Sequence, residues 1–239
     1  MMSDHPATPQ SRPNPLLRKL TPRAASLLSP CLEFTQLMSG DRLESPRRPI
    51  AHLFFPDTAL VSFAALGFGE RPIEVAAVGY GGVTGISLAL GSPLSPPHVE
   101  AVVELAGGAW RLAAEDYRRL ADANPEIRSH FLHLAFEHLD RVMQGAAANA
   151  NLDVERRLAR WLLLASEARD SDVIHTTHDR LAVLLCVRRP SVTLALQSLQ
   201  VSKLIQQRRG AIALTDKHRL SRLVEAKPAA GHGATAAAE

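Results

Sequence analysis

Thr176-Thr177-His178-Asp179-Arg180-Leu181-Ala182-Val183-Leu184-Leu185-Cys186-Val187-Arg188-Arg189-Pro190-Ser191-Val192-Thr193-Leu194-Ala195-Leu196-Gln197-Ser198-Leu199 is the stretch on which the fold turns. Thr176 or Thr177 can cap a short helix running through Leu185, with Leu181, Leu184 and Leu185 facing inward. Cys186-Val187 leaves room only for a tight turn. A second helix is expected from about Arg189 to Val201, because Val192, Ala195, Leu196 and Leu199 follow the i, i+3, i+4, i+7 spacing of one buried stripe. The opposite face then holds Pro190, Leu194 and Gln197, with Ser191, Thr193 and Ser198 on its flanks. Two short helices joined by a tight turn, the second basic at its start and polar outside, form a helix-turn-helix whose second helix suits a DNA major groove.

The residues that follow extend the pattern. Leu204 to Arg208 reads as a strand, Arg209-Gly210 as a two-residue turn, and Ala211 to Leu214 as the returning strand, so a β-ribbon wing is expected beside the helices. Charge agrees with this placement. Residues 175–222 carry nine Lys and Arg against two Asp, a balance of +7, whereas residues 1–174 carry a balance of −3. A basic segment beside an acidic one is the electrostatic footprint of a nucleic-acid-binding module. Chemistry assigns the roles. Arg189 in the first turn can donate two hydrogen bonds to a guanine edge. Ser191, Thr193 and Gln197 offer polar contacts, and Leu194 can meet a thymine methyl. Arg188, Arg208, Arg209 and Thr177 are expected on phosphates or, at the wing tip, in a minor groove.

Upstream the reading changes. Ile50–Phe55, Leu60–Leu66, Ile73–Val78, Val99–Leu105 and Ala109–Leu112 are short apolar runs separated by Gly and Pro, which predicts a β-sandwich or barrel over about residues 21–125. Pro125 can open a helix, and Ile127, Phe131, Leu134, Ala135, Leu139, Val142 and Ala146 hold helical spacing over 126–150. Its apolar stripe needs a partner, either a second copy in a coiled-coil-like dimer or its own β domain. Gly145-Ala146-Ala147-Ala148 would let two helix backbones approach closely. Asp153 can cap a further helix over Val154–Arg169, with Leu158, Trp161, Leu162 and Ala165 on one face. Residues 1–20, rich in proline at their start, are expected to be a flexible arm, and 226–239, rich in Ala and Gly, a disordered tail.

Composition excludes several classes. At 239 residues and 46% hydrophobic, the chain can bury two cores. No apolar run of membrane-spanning length and no signal-like leader occurs, so a cytoplasmic protein without membrane contact is expected. Cys31 and Cys186 are the only cysteines and are too few for a thiolate cluster in one chain. His52 and His98 lie far apart in the β region, unlike the clustered histidines of a cupin-type metalloenzyme, and no Gly-x-Ser-x-Gly elbow is present. No enzyme is expected.

Residues Thr177–Ala182, Val187–Thr193, Leu204-Ile205 and Arg208–Gly210, together with Phe54–Ser62 and Val78–Gly85 in the N-terminal half, resemble the Crp/Fnr-type transcription regulators. The resemblance spans about residues 20 to 224. It implies an α+β chain with an N-terminal β-roll (a double-stranded β-helix) as sensor over 21–125, a long dimerisation helix over 126–150, and a winged helix-turn-helix over 151–225. It further implies a homodimer on a two-fold-symmetric stretch of double-stranded DNA, with RNA polymerase as a further partner. Cyclic-nucleotide-binding members hold their ligand with a Gly-Glu pair and an Arg-Ser/Thr pair. Here these positions read Gly85-Ile86 and Pro96-Pro97-His98-Val99, and no arginine lies between Arg71 and Arg111. Cyclic AMP is therefore not expected, and no cofactor is assigned. A haem would need one of His52, His98, His130, His133 or His138 as its axial ligand. The alternative reading is a cyclic-nucleotide-responsive sensor whose DNA binding is secondary.

Overall fold

The computed structural model describes residues 14–66 and 72–226. The short apolar runs become strands, each too short to bury itself and therefore paired: β1 (Leu32–Leu37), β2 (Arg42–Glu44), β3 (His52–Pro56), β4 (Leu60–Ala65), β5 (Ile73–Val78), β6 (Val99–Leu105) and β7 (Gly107–Ala113). They form two antiparallel sheets, in the orders β1-β7-β3 and β2-β6-β4-β5. Side chains from both, among them Leu37 and Ala109 from the first and Val61, Val78 and Val103 from the second, share one core and close the sheets into the expected roll. Two strands escaped the sequence reading. β1 alternates apolar and polar residues only weakly, and β2 has three residues.

The arm expected through residue 20 ends sooner. Asn14 is fully buried. Its Nδ2 donates to the carbonyls of Pro56 (2.8 Å) and Gly82 (3.3 Å), while its Oδ1 accepts from the Leu16 N–H at the start of α1 (Pro15–Arg18). Leu16 is buried in the same core as Phe55 and Leu112. The proline content argued for an arm unable to bury surface, yet one satisfied amide and one leucine dock residues 14–18. A further helix, α2 (Pro22–Leu28), follows with Thr21 as its cap. Residues 1–13, and the expected tail beyond Ala226, lie outside the described residues.

After β7 comes a helix that the sequence reading missed, α3 (Ala114–Ala123), and then the long α4 (Pro125–Asn151) with Pro125 in its first turn. Of the stripe expected on α4, Ile127, Phe131, Leu134 and Ala135 are buried against the chain's own β domain. A second stripe, Leu132, Phe136, Leu139 and Met143, faces outward at spacings of four, three and four residues and is 45–64% exposed. The helix therefore has two apolar faces, one buried on its own β domain and one exposed. Gly145 packs against its own domain, where an added Cβ would lie 1.8 Å from the Val75 carbonyl oxygen of β5. The close approach that the small residues permit is made to the β domain.

The chain turns at Leu152, and Asp153 caps α5 (Val154–Arg169) by accepting the Arg156 N–H at 2.9 Å. The C-terminal domain continues through β8 (Val173–His175), α6 (His178–Leu184), α7 (Arg189–Val201), β9 (Ile205–Arg208), β10 (Ala211–Leu214) and α8 (Lys217–Glu225). Its antiparallel sheet runs β8-β10-β9. Leu158, Trp161, Leu162 and Ala165 of α5 are buried with Leu181, Val192, Leu196, Leu199 and Leu220. Leu60 of β4 and Ala77 of β5 join this cluster, so the two domains share apolar contact. The Arg180 guanidinium adds a polar tie, donating to Glu104 Oε2 at 2.8 Å and to Ser39 Oγ at 3.3 Å across the domain boundary. Among the described residues, no helix is long and apolar enough to cross a membrane.

Candidate nucleic-acid interface

Thr177 caps α6 through its hydroxyl, which accepts the Arg180 N–H at 3.2 Å. The helix ends at Leu184, one residue short of the expected Leu185, which is its C-cap, and Cys186 takes the left-handed conformation with φ 52°. A residue with a Cβ gives up about 1–2 kcal/mol in that region. The turn is held all the same: Val187 N–H reaches the Ala182 carbonyl at 3.0 Å, and Arg157 Nη2 braces the Leu185 carbonyl at 2.5 Å. α7 opens with Pro190 in its first turn, where the missing N–H costs no intrahelical bond. Val192, Ala195, Leu196 and Leu199 are all buried. That anchorage turns the rest of the helix outward.

The outward residues fall on one surface. Arg188, Arg189, Leu194 and Gln197 are exposed, and Ser191 is half-buried. Leu194 is 67% exposed, an apolar side chain with nothing of its own chain to cover it. Arg189 Nε lies 3.3 Å from Asp179 Oδ1 on α6. Both partners are largely exposed, so the pair is weak and leaves Arg189 available to a stronger acceptor. Thr193 is half-buried, and its hydroxyl is spoken for, donating to the Arg189 carbonyl at 3.2 Å and lying 3.0 Å from His178 Nδ1. It positions α7 against α6. The hydroxyl of Thr177 is similarly engaged in its cap.

The wing has the expected register. Arg208 pairs with Ala211 across the two-residue Arg209-Gly210 turn, and Gly210 supplies the positive φ (70°) that such a turn needs. Arg208 and Arg209 are both exposed at this tip. The sequence reading missed what fixes the wing to the helix. Gln200 Oε1 accepts the Gln207 N–H of β9 at 3.1 Å, and the Thr215 hydroxyl donates to the Lys203 carbonyl at 2.7 Å. A glutamine near a helix end carries no signal of such a role. The third strand, β8, was also missed, since three residues give no usable alternation.

The positions that would hold a cyclic phosphate are occupied differently. Ile86 is buried, Pro96 and Val99 line an apolar cavity, and the Gly85 N–H is satisfied by Glu44 Oε1 at 2.7 Å. Among the described residues, no group of three or more His, Cys, Asp or Glu side chains is placed to hold a metal ion.

Residues 156–223 match the family model of the Crp-like helix-turn-helix domain. A sequence comparison with curated proteins finds no match. Solved structures share the whole fold. A transcriptional regulator of the Crp/Fnr family from Eubacterium rectale is 20% identical, with a TM-score of 0.66 over 89% of this chain and 98% of its own. A CRP/FNR-family regulator from Thermus thermophilus is 21% identical, with a TM-score of 0.64 over 82% and 100%. The c-di-GMP-responsive global regulator CLP of Xanthomonas campestris is 18% identical, with a TM-score of 0.61 over 81% and 99%. The chain thus has the Crp/Fnr fold and carries a Crp-like helix-turn-helix domain.

Proposed function

We propose that this chain is a sequence-specific, DNA-binding transcription regulator that works as a homodimer in the cytoplasm, with the β-roll as its sensing half and RNA polymerase as a further partner. The observation that carries the reading is α7, buried along one side by Val192, Ala195, Leu196 and Leu199 and open along the other with Arg188, Arg189, Leu194 and Gln197. The wing arginines extend the same basic domain. Dimerisation is supported by the outward stripe on α4, whose alternating spacing of three and four residues is that of a coiled-coil seam. Two α7 helices related by a two-fold axis then meet successive major grooves.

The test is the salt dependence of binding to mixed-sequence duplex DNA. Binding should weaken linearly on logarithmic axes as salt rises, and removing both Arg208 and Arg209 should lower the slope by about two. Absence of duplex binding at low salt would remove the regulator reading.

A further inference from the structure

We propose that the cavity between the β-roll and α4 binds a neutral, predominantly apolar small molecule bearing one hydrogen-bonding group. This rests on the reading of the β-roll as the sensing half and adds the chemistry of what is sensed. The cavity has a volume of about 440 Å³, which suits a compact organic molecule. Its walls are Phe63, Val75 and Val99 from β4, β5 and β6, Ile86 from the turn after β5, and Ala135 and Leu139 from α4. Polar atoms are few. Glu44, Ser87 and His138 supply them, and neither Lys nor Arg lines the space.

Charge selects the ligand class. A phosphate in this site would meet no cation, so a cyclic nucleotide is disfavoured by desolvation. Glu44 is buried, burial pushes its pKa up, and its Oε1 is already engaged by the Gly85 N–H at 2.7 Å, so it does not mark the cavity for a cation. The His138 ring packs edge-on to Phe63 at 4.7 Å between centroids, and its Nδ1 is buried without a partner. Burial brings its pKa down to about 4, so the ring is neutral at physiological pH and offers a directional hydrogen bond. His138, Ser87 and Glu44 are the polar side chains in an otherwise apolar wall, so one hydrogen-bonding group on a ligand can be matched there.

A second copy of the chain does not account for the space. The deep residues Glu44 and Phe63 are about 5% exposed and belong to strands behind α4, while the outward stripe runs along the mouth. A helix packed on that stripe at an axis separation of about 8–10 Å would roof the opening and leave the floor empty. Dimerisation and ligand binding are then adjacent, and a ligand touching both sheet and helix can bias how α4 is held.

The experiment titrates the full-length protein with N-phenyl-1-naphthylamine, a neutral aromatic amine that fluoresces in apolar surroundings. Saturable binding of one probe per protomer is expected, undiminished by excess cyclic AMP. Ala135→Phe, which fills the cavity, should weaken binding by at least about tenfold. Its fold is checked by circular dichroism and melting temperature. Leu90→Lys, at the exposed rim, leaves folding untouched and should weaken the probe by about threefold. His138→Phe keeps an aromatic ring and removes the hydrogen bond, with a loss of about three- to tenfold. The proposal is overturned by no saturable binding, by probe binding indifferent to all three variants, by displacement with cyclic AMP, or by loss of binding as protomer concentration rises, which would mean that the second copy fills the cavity. Duplex DNA binding by the same protein without probe reports on the regulator reading separately.

Discussion

Arg189 and Arg208 are both exposed arginines of one domain, yet the proposed function gives them different work. Arg189 stands in the first turn of α7, restrained only by a loose pair with Asp179. Replacing it with Ala should cost about 1–3 kcal/mol of specific binding and relax preference at one base position, read by comparing binding to a preferred site and to its single-base variants. Arg208 sits beside the wing turn, and Arg208→Ala should weaken all sequences alike and reduce the salt slope by about one. Thr193 follows a third logic. Because its hydroxyl ties to His178 and to the Arg189 carbonyl, Thr193→Val should act first on stability, lowering it by about 1 kcal/mol in denaturant titration. Glu74 on β5 makes a pH prediction. Burial raises its pKa to about 7, with the Ser62 hydroxyl at 2.6 Å opposing the shift. The protonated form is favoured by folding, so its contribution is fully present below about pH 4.5 and is lost as pH rises through 7. Glu74→Gln should flatten the stability profile between those limits and raise stability at pH 8 by about 1–2 kcal/mol.

At the scale of elements, what could be read from the sequence was what repeats or caps. α7 matched its expected bounds because a buried stripe of four residues and Pro190 define both its face and its start. β5, β6 and β10 likewise coincide with their apolar runs. What stayed hidden depended on partners remote in sequence. β1 and β8 exist because β7 and β10 pair with them, and the docking of Asn14 needs two carbonyls that lie 42 and 68 residues away. The exposed residues of α7 and of the wing tip were readable as a set. The tie of Thr193 to His178, and the anchoring of the wing by Gln200, were not, since each depends on where a neighbouring element places one atom. α4 shows the same limit. Its spacing announced an apolar helix but could not say which stripe met the β domain and which stayed exposed. Gly145→Ala tests the packing side directly. With the Val75 carbonyl 1.8 Å from the added carbon, helix or strand must move, at a cost of about 1–3 kcal/mol seen as a lower melting temperature.

The whole molecule couples a β-roll to a winged helix-turn-helix through one long helix and one direct seam. Leu60 and Ala77 share a core with α5, and Arg180 of the helix-turn-helix is held by Glu104 of β6. On the proposed function, a change in how the β-roll grips α4 would have two routes to α7. At the DNA end, the proposed function requires two recognition helices that read two half-sites. Selection of bound sequences from a random duplex pool by the full-length protein tests it most directly. The account predicts enrichment of an inverted repeat with half-site centres about 10 base pairs, or a multiple of the helical turn, apart. Selection without enrichment, or of a single unrepeated element bound by one protomer, would contradict it.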